Sequence, residues 1–367
     1  MDHAGRLDRL RTGLEENDLD SLLVTHLPNI RYLCGFTGSA AALLVADRGS
    51  ILFTDGRYRA QAREEVKGAR IVIARKSPLV AAAEWLAAQR GSLTPASSKA
   101  ESVGIEAESI AAGMRDRLAS LLKGRARLGS APPLVERARM VKDAAEILRI
   151  RRAVELGASL FGIACQKIRP GVTEVEVAAA MEYEARCAGA EGMSFPTILA
   201  SGMRSAIVHG RASLARIPRR GFVVCDFGVI LAAYCSDRTR TVHIGRPSAE
   251  ARGLYEAVLE AQLAAIAAVG PGVTCAEVDG AARRVLRRRK LARYFTHSTG
   301  HGLGLEIHEA PRLAVGQGQK LEPGMVITIE PGAYVPGKWG VRIEDVVVVT
   351  PAGCEALTPT DKELVII

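Results

Sequence analysis

The stretch HSTGHGLGLEIHE at 297–309 sets three of the chain's seven histidines among three glycines. His297 and His301 stand four apart, the spacing that puts two metal ligands on one helix face. Gly300, Gly302 and Gly304 argue against a helix there, because each costs backbone entropy and favours other turns. A helical zinc motif is therefore not expected; the glycines instead let the backbone pass close to a ligand or a neighbouring strand. Acids that could join these histidines lie in four apolar runs: Asp226 in GFVVCDFG, Asp237 in YCSDRTRTVHIG, Glu330 in GMVITIEPG and Glu344 in GVRIEDVVVV. An ionised carboxylate in such surroundings is costly unless it is paired or bound to metal. Four carboxylates and one histidine would balance two divalent cations. Oxygen-rich coordination of this kind favours Mn²⁺, with Co²⁺ or Fe²⁺ next, over structural zinc.

The elements that must position these residues repeat. PGVTEVEV begins at Pro170 and PGVTCAEV at Pro271, 101 positions later. A helical pattern precedes each, at about 144–168 and 249–269. Thr173 with Glu176, and Thr274 with Glu277, form capping boxes that open a second helix in each copy. Strand-rich stretches carrying the acids follow. Duplicated halves of this kind pack about a pseudo-two-fold axis, where a carboxylate pair from each would meet. Ahead of the repeat, the N-terminal residues read as an amphipathic helix. Strands are expected at 21–25, 41–47, 50–56 and 69–74, and helices at 57–66 and 79–90. A loop over 91–104 leads into a strand and a helix near 109–122. Pro132 and Pro133 cannot continue a helix and mark the domain boundary, giving domains 1–132 and 133–367.

CDFGVILAAYCSDRTRT, HSTGHGLGLEIHEAP, TIEPG and GVRIED follow one another as do the site motifs of the pita-bread metallohydrolases, a family of aminopeptidase P, prolidase, methionine aminopeptidase and creatinase. The chain resembles that family over nearly its whole length. NIRYLCGFTGSAAALLV and FTDGRYRAQA are similar to the creatinase-like N-domain of bacterial Xaa-Pro peptidases, which methionine aminopeptidases lack. The resemblance implies an α/β (α+β) architecture: a C-terminal pita-bread fold with a pseudo-two-fold repeat, and a smaller N-terminal creatinase-like α/β domain. It also implies metal ligands Asp226, Asp237, His301, Glu330 and Glu344, with Asp237 and Glu344 bridging two cations that activate a water. Mn²⁺ is expected, Co²⁺, Fe²⁺ or Zn²⁺ being the alternatives. Glu330 would relay the proton to the leaving nitrogen. His209, in SGMRSAIVHGRAS, and His308 would hydrogen-bond the substrate as catalytic residues. His297 and Arg342 would orient the site from behind the ligands. Where the family commonly has an aromatic and a glycine ahead of the second aspartate, this chain has Leu231 and Ala233.

The activity implied is that of an Xaa-Pro aminopeptidase, with an Xaa-Pro dipeptidase as runner-up. A metal-free creatinase-like C–N hydrolase and a non-catalytic peptide-binding module are more distant, because both usually accompany lost ligands and all five positions are kept. The resemblance further implies a homodimer whose N-domain packs near the neighbouring subunit's site. The net charge of +9 and the run RRVLRRRKLAR at 283–293 could suggest nucleic acid. With aromatics at 4% and no stacking motif, a solvated helix face is expected instead. No signal peptide and no membrane-spanning run is expected. Seven scattered cysteines, never spaced as C-x-x-C, suit a reduced cytoplasm. His3, His26 and His243 carry no motif and are expected to be structural.

Overall fold

A computed structural model describes residues 1–88, 101–359 and 361–367. They form two compact units, Met1–Arg139 and Met140–Ile367. The division falls beyond the proline pair. The side chain of Asn29 donates to Glu136 at 2.6 Å and accepts from Arg139 at 2.7 Å, so the segment after the prolines is tied into the first unit.

In that unit a six-stranded mixed sheet runs in the order Arg70–Ala74, Gly49–Asp55, Ala41–Ala46, Ser21–Val24, Glu101–Ile105, Ala126–Ser130. The first helix, His3–Glu15, buries Leu7, Leu10 and Leu14, a stripe with helical spacing. Leu44, Phe53 and Val103 from the sheet pack with Leu79 and Leu86 from the helix Pro78–Ala88 and Leu118 from Ala112–Leu122. Three elements were not read from sequence: the helix Leu27–Cys34, the strand Ala126–Ser130 and the helix Leu134–Met140. The strand Glu101–Ile105 starts inside the expected loop because Val103 and Ile105 bury completely. The rest of that loop, 91–100, and the end of the preceding helix lie outside the described residues.

The second unit is built twice. Ala144–Lys167 and Glu174–Cys187 lead into an antiparallel sheet of Ile198–Ser201, Gly221–Asp226 and Thr239–Ile244. Ala249–Ala267 and Cys275–Arg288 lead into a five-stranded sheet ordered Glu309–Leu313, Gly300–Gly302, Val326–Ile329, Asp345–Thr350, Gly353–Ala356. Both capping boxes form, with Glu176 and Glu277 each returning to the threonine. Caps of this type contribute about 1 kcal/mol each. The repeated Pro-Gly turns set Gly171 at φ +90° and Gly272 at φ +80°, a left-handed region that a side chain would disfavour. Each half has its own core. Leu160, Met181, Val223 and Val242 pack in the first, and Leu254, Val258, Leu286 and Ile327 in the second.

Candidate metal centre

The strand ends carry the acids. Asp226 closes Gly221–Asp226, facing Thr239 across the sheet. Asp237 precedes the partner strand Thr239–Ile244, Glu330 follows Val326–Ile329, and Glu344 sits between Trp339–Arg342 and Asp345–Thr350. Position 301 falls in a strand, as the glycines demand. A Cβ at Gly300 would meet the Thr328 carbonyl oxygen at 1.9 Å, and one at Gly302 the Ala310 carbonyl oxygen at 2.3 Å. Only bare backbone lets His301 lie this close to its neighbours.

The halves are joined by polar contacts beside these acids. Thr239 Oγ1 donates to Glu344 Oε2 at 2.7 Å and accepts from Arg342 Nε at 3.0 Å. Arg240 and Asp345 form a buried ion pair at 2.7 Å. Asp226, Asp237, His301, Glu330 and Glu344 all line one cavity of about 580 Å³, together with His209, His297, His308 and Arg342. All nine residues singled out in the sequence therefore share one site. His301 Nε2 lies 3.5 Å from both Asp237 Oδ2 and Glu330 Oε1. Ligand atoms of Asp237, His301 and Glu344 fall within 4.8 Å of one another.

Four carboxylates face one guanidinium, that of Arg342, which donates to Asp226 Oδ2. Burial pushes the Asp226 carboxyl up to about 6, although Arg342 opposes the shift. Burial likewise raises Glu330 to about 7 and Glu344 well above the ordinary carboxylate range, with the neighbouring acids adding to the effect on both. His301 moves against its burial: the hydrogen bond to Asp237 and the charges of Glu330 and Asp237 raise it to about 9. Without metal, burial and the mutual repulsion of the acids favour the protonated forms of Asp226, Glu330 and Glu344.

His297 behaves in the opposite way. Burial and the charge of Arg342 lower it to about 4. Its Nδ1 faces the Ser298 carbonyl at 2.8 Å, which only accepts, so Nε2 accepts from the Tyr334 hydroxyl at 3.0 Å. Arg342 Nη1 donates to that hydroxyl at 2.6 Å and to the Val208 carbonyl at 3.0 Å, next to His209. His297 and Arg342 thus stand behind the acids, with Tyr334 between them.

A metal fits this cluster. Asp226 Oδ1 and Glu344 Oε1 are buried without a hydrogen-bond partner. Such orphaned acceptors cost free energy unless something positive reaches them. His301 Nδ1 faces the Gly302 carbonyl at 3.0 Å, which leaves Nε2 with its lone pair among the carboxylates once the ring is neutral.

Residues 149–351 match metallopeptidase family M24, and residues 6–141 match the creatinase/prolidase N-terminal domain. The chain belongs to metallopeptidase family M24. Its second unit is the family's pita-bread domain and its first the creatinase-like one. An Xaa-Pro dipeptidase of Pyrococcus horikoshii is 36% identical over 96% of each chain. The structure of an Xaa-Pro dipeptidase from Bacillus anthracis is 37% identical, covers both chains completely and has a TM-score of 0.94. An X-Pro aminopeptidase from Thermotoga maritima is 35% identical over 98% of this chain and 99% of its own, with a TM-score of 0.88. This M24 member is therefore a hydrolase of the metallopeptidase class.

Sequence reasoning missed several residues of the site. Tyr334 had no motif of its own. Arg211 and Arg312 line the cavity, exposed and without an ion pair among the described residues. Arg283, expected on a solvated basic face, instead pairs with Asp279 at 2.7 Å and donates to the His297 carbonyl at 2.6 Å. Arg288 and Arg289 do lie exposed, paired with Glu260. His3 and His243 hold backbone carbonyls of Tyr32 and Gly245, as structural histidines do. The seven cysteines are unbonded. No helix among the described residues is long and apolar enough to cross a membrane.

Proposed function

We propose that the chain is an Xaa-Pro dipeptidase, replacing the aminopeptidase expected from sequence. The observation that carries this is the cavity's pair of unengaged cations: Arg211 and Arg312 share it with the acid cluster and can receive the free carboxylate of a two-residue substrate. Dipeptidase relatives matching nearly end to end support the same choice. The aminopeptidase remains the second reading, favoured by the Thermotoga likeness.

Asp226, Asp237, His301, Glu330 and Glu344 would hold two divalent cations, Mn²⁺ by preference. These would supply Lewis acidity toward the scissile carbonyl and an acidified water. The protein's own groups do the rest. Arg342 fixes Asp226 through Oδ2 and leaves Oδ1 facing the cluster. The exposed His209 and His308 donate hydrogen bonds to the substrate carbonyl and amide region as charge develops. His308 packs edge-on against His301, ring centroids 4.4 Å apart, and partial burial lowers its pKa. Glu330 takes a proton from the attacking water and passes it to the proline nitrogen, which leaves as a secondary amine when the C–N bond breaks. Phe195, Pro196 and Ile198 give the cavity an apolar wall that suits the pyrrolidine ring. A homodimer in the cytoplasm completes this reading.

The test is a panel of Xaa-Pro, Xaa-Pro-Yaa and Xaa-Ala-Yaa peptides in Mn²⁺, with Asp237→Ala as control. Cleavage of Xaa-Pro alone is expected. Equal cleavage of Xaa-Pro-Yaa would return the aminopeptidase, and no cleavage of any peptide would remove the peptidase.

A further inference from the structure

The segment 202–213 carries His209 and Arg211, and it hangs from one side chain in the opening turn of the helix Glu174–Cys187. Glu174 is fully buried. Its Oε1 accepts from the backbone nitrogen of Ser201 at 2.8 Å and from the Ser201 hydroxyl at 2.9 Å. Its Oε2 accepts from the Ser213 nitrogen at 3.2 Å and the Ser213 hydroxyl at 2.7 Å. Both ends of the segment are therefore pinned to the same carboxylate. Arg204 ties in the middle: Nε reaches Glu174 Oε2 at 3.0 Å, and Nη2 donates to the Arg211 carbonyl at 2.9 Å.

The other half repeats the device from a different helical position. Asp279 accepts from the nitrogen and hydroxyl of Thr299 and pairs with Arg283, which donates to the His297 carbonyl. In each half an acid, an arginine and a hydroxyl residue hold the backbone within two residues of a histidine that lines the cavity, the Arg211 carbonyl in the first and the His297 carbonyl in the second.

We propose that Glu174 is a positioning residue, which through Ser201, Arg204 and Ser213 holds His209 at the substrate and has no part in holding metal. The chemistry of the carboxylate supports this. Two acceptor oxygens serve five donor groups, and two of those donors are backbone N–H groups that cannot turn away. In Glu174→Gln one oxygen becomes an NH₂ group, which must oppose one end of the segment. No residue of this network is among the acids and histidine of the cluster. The inference rests on the proposed dipeptidase only for the role given to His209.

The experiment uses the full chain and four variants: Glu174→Gln, Arg204→Ala, His209→Ala and the double variant Glu174→Gln/His209→Ala. Amide hydrogen exchange over 203–211 is read without substrate, manganese bound per chain is counted, and kcat/KM is measured on an Xaa-Pro dipeptide. Expected are faster exchange in that segment, wild-type manganese content and a loss of about tenfold in kcat/KM. That loss should shrink below about twofold when His209 is already alanine, because the two residues act as one unit. An equal loss with and without His209, reduced manganese content, or unchanged exchange overturns the proposal. Arg204 is one-third exposed, so Arg204→Ala gives the same readouts if Glu174→Gln does not fold. If the wild type cleaves no dipeptide, the dipeptidase falls and exchange over 203–211 alone decides the clamp.

Discussion

At the scale of single residues, charge balance governs the site. Arg312 stands exposed at the cavity without an ionic partner among the described residues, and in the proposed dipeptidase it receives the substrate's terminal carboxylate. Arg312→Ala should raise KM for an Xaa-Pro dipeptide by about tenfold, the usual worth of one charge-assisted hydrogen bond, and leave the corresponding dipeptide amide unaffected. Equal losses on acid and amide would remove that role. His301 gives a pH signature in the metal-free protein. Its folded pKa of about 9 exceeds the ordinary 6.5, so its contribution to stability is complete below pH 6.5 and is lost as pH rises through 9. Glu330, raised to about 7, acts in the same direction over its lower window. His297, lowered to about 4, acts oppositely, but only between about pH 4 and 6.5. The melting temperature of the metal-free chain should therefore fall between about pH 7 and 9, and His301→Gln should flatten that slope. A wild-type slope that is flat or rising would contradict the electrostatics. The acids and His301 were legible in the sequence because a carboxylate ending an apolar strand run, and glycines flanking a histidine, each carry a local signal. Tyr334, Arg312 and Glu174 were not. Tyr334 meets His297, and Glu174 meets Ser213, only through the fold, Arg312 carries no local signal, and nothing beside any of them in the sequence marks the job.

At the scale of elements, the departures from the family pattern fall in the hairpin Val229–Leu231 to Tyr234–Cys235. Leu231 pairs with Tyr234, so Ala232 and Ala233 form a two-residue turn with φ +48° and +74°. Both are left-handed, a conformation that costs an alanine roughly 1–2 kcal/mol and suits asparagine and glycine. Ala233 is also 5% exposed, so its methyl contributes packing that offsets part of this cost. Ala232→Asn with Ala233→Gly should raise the denaturation midpoint by about 1 kcal/mol equivalent without changing bound metal. A lowered midpoint would show that the methyl matters more than the backbone. Legibility varied among the elements for similar reasons. The capping boxes and the long repeat helices could be read because their signals are local and periodic. The helix Leu27–Cys34 is short, has a proline in its opening turn and ends at left-handed Gly35, so eight residues gave the periodicity too little room. The strand Glu101–Ile105 reads as loop in the sequence because serine and glycine occupy two of its five positions.

At the scale of the molecule, two copies of one helix-and-sheet unit each deliver two acids to a common cavity, and Arg342, Thr239 and the Arg240–Asp345 pair join the copies there. Four carboxylates, three of them buried, crowd beside Arg342 and repel one another without cations. Binding metal should therefore stabilise the fold. At a free concentration one hundred times its Kd, one bound ion adds about 2.7 kcal/mol, a rise in melting temperature on the order of 5–10 °C. Chelation should reverse the gain, and an unchanged melting curve would indicate that the acids are held by the protein alone. The central claim is that Asp226, Asp237, His301, Glu330 and Glu344 together hold two cations. Its most direct test is manganese bound per chain after chelation and reloading, measured for the wild type and for Asp237→Ala. About two ions per wild-type chain and fewer than one in the variant are expected, since Asp237 would be shared by both ions. One ion or none in the wild type, or two retained in the variant, would contradict the account.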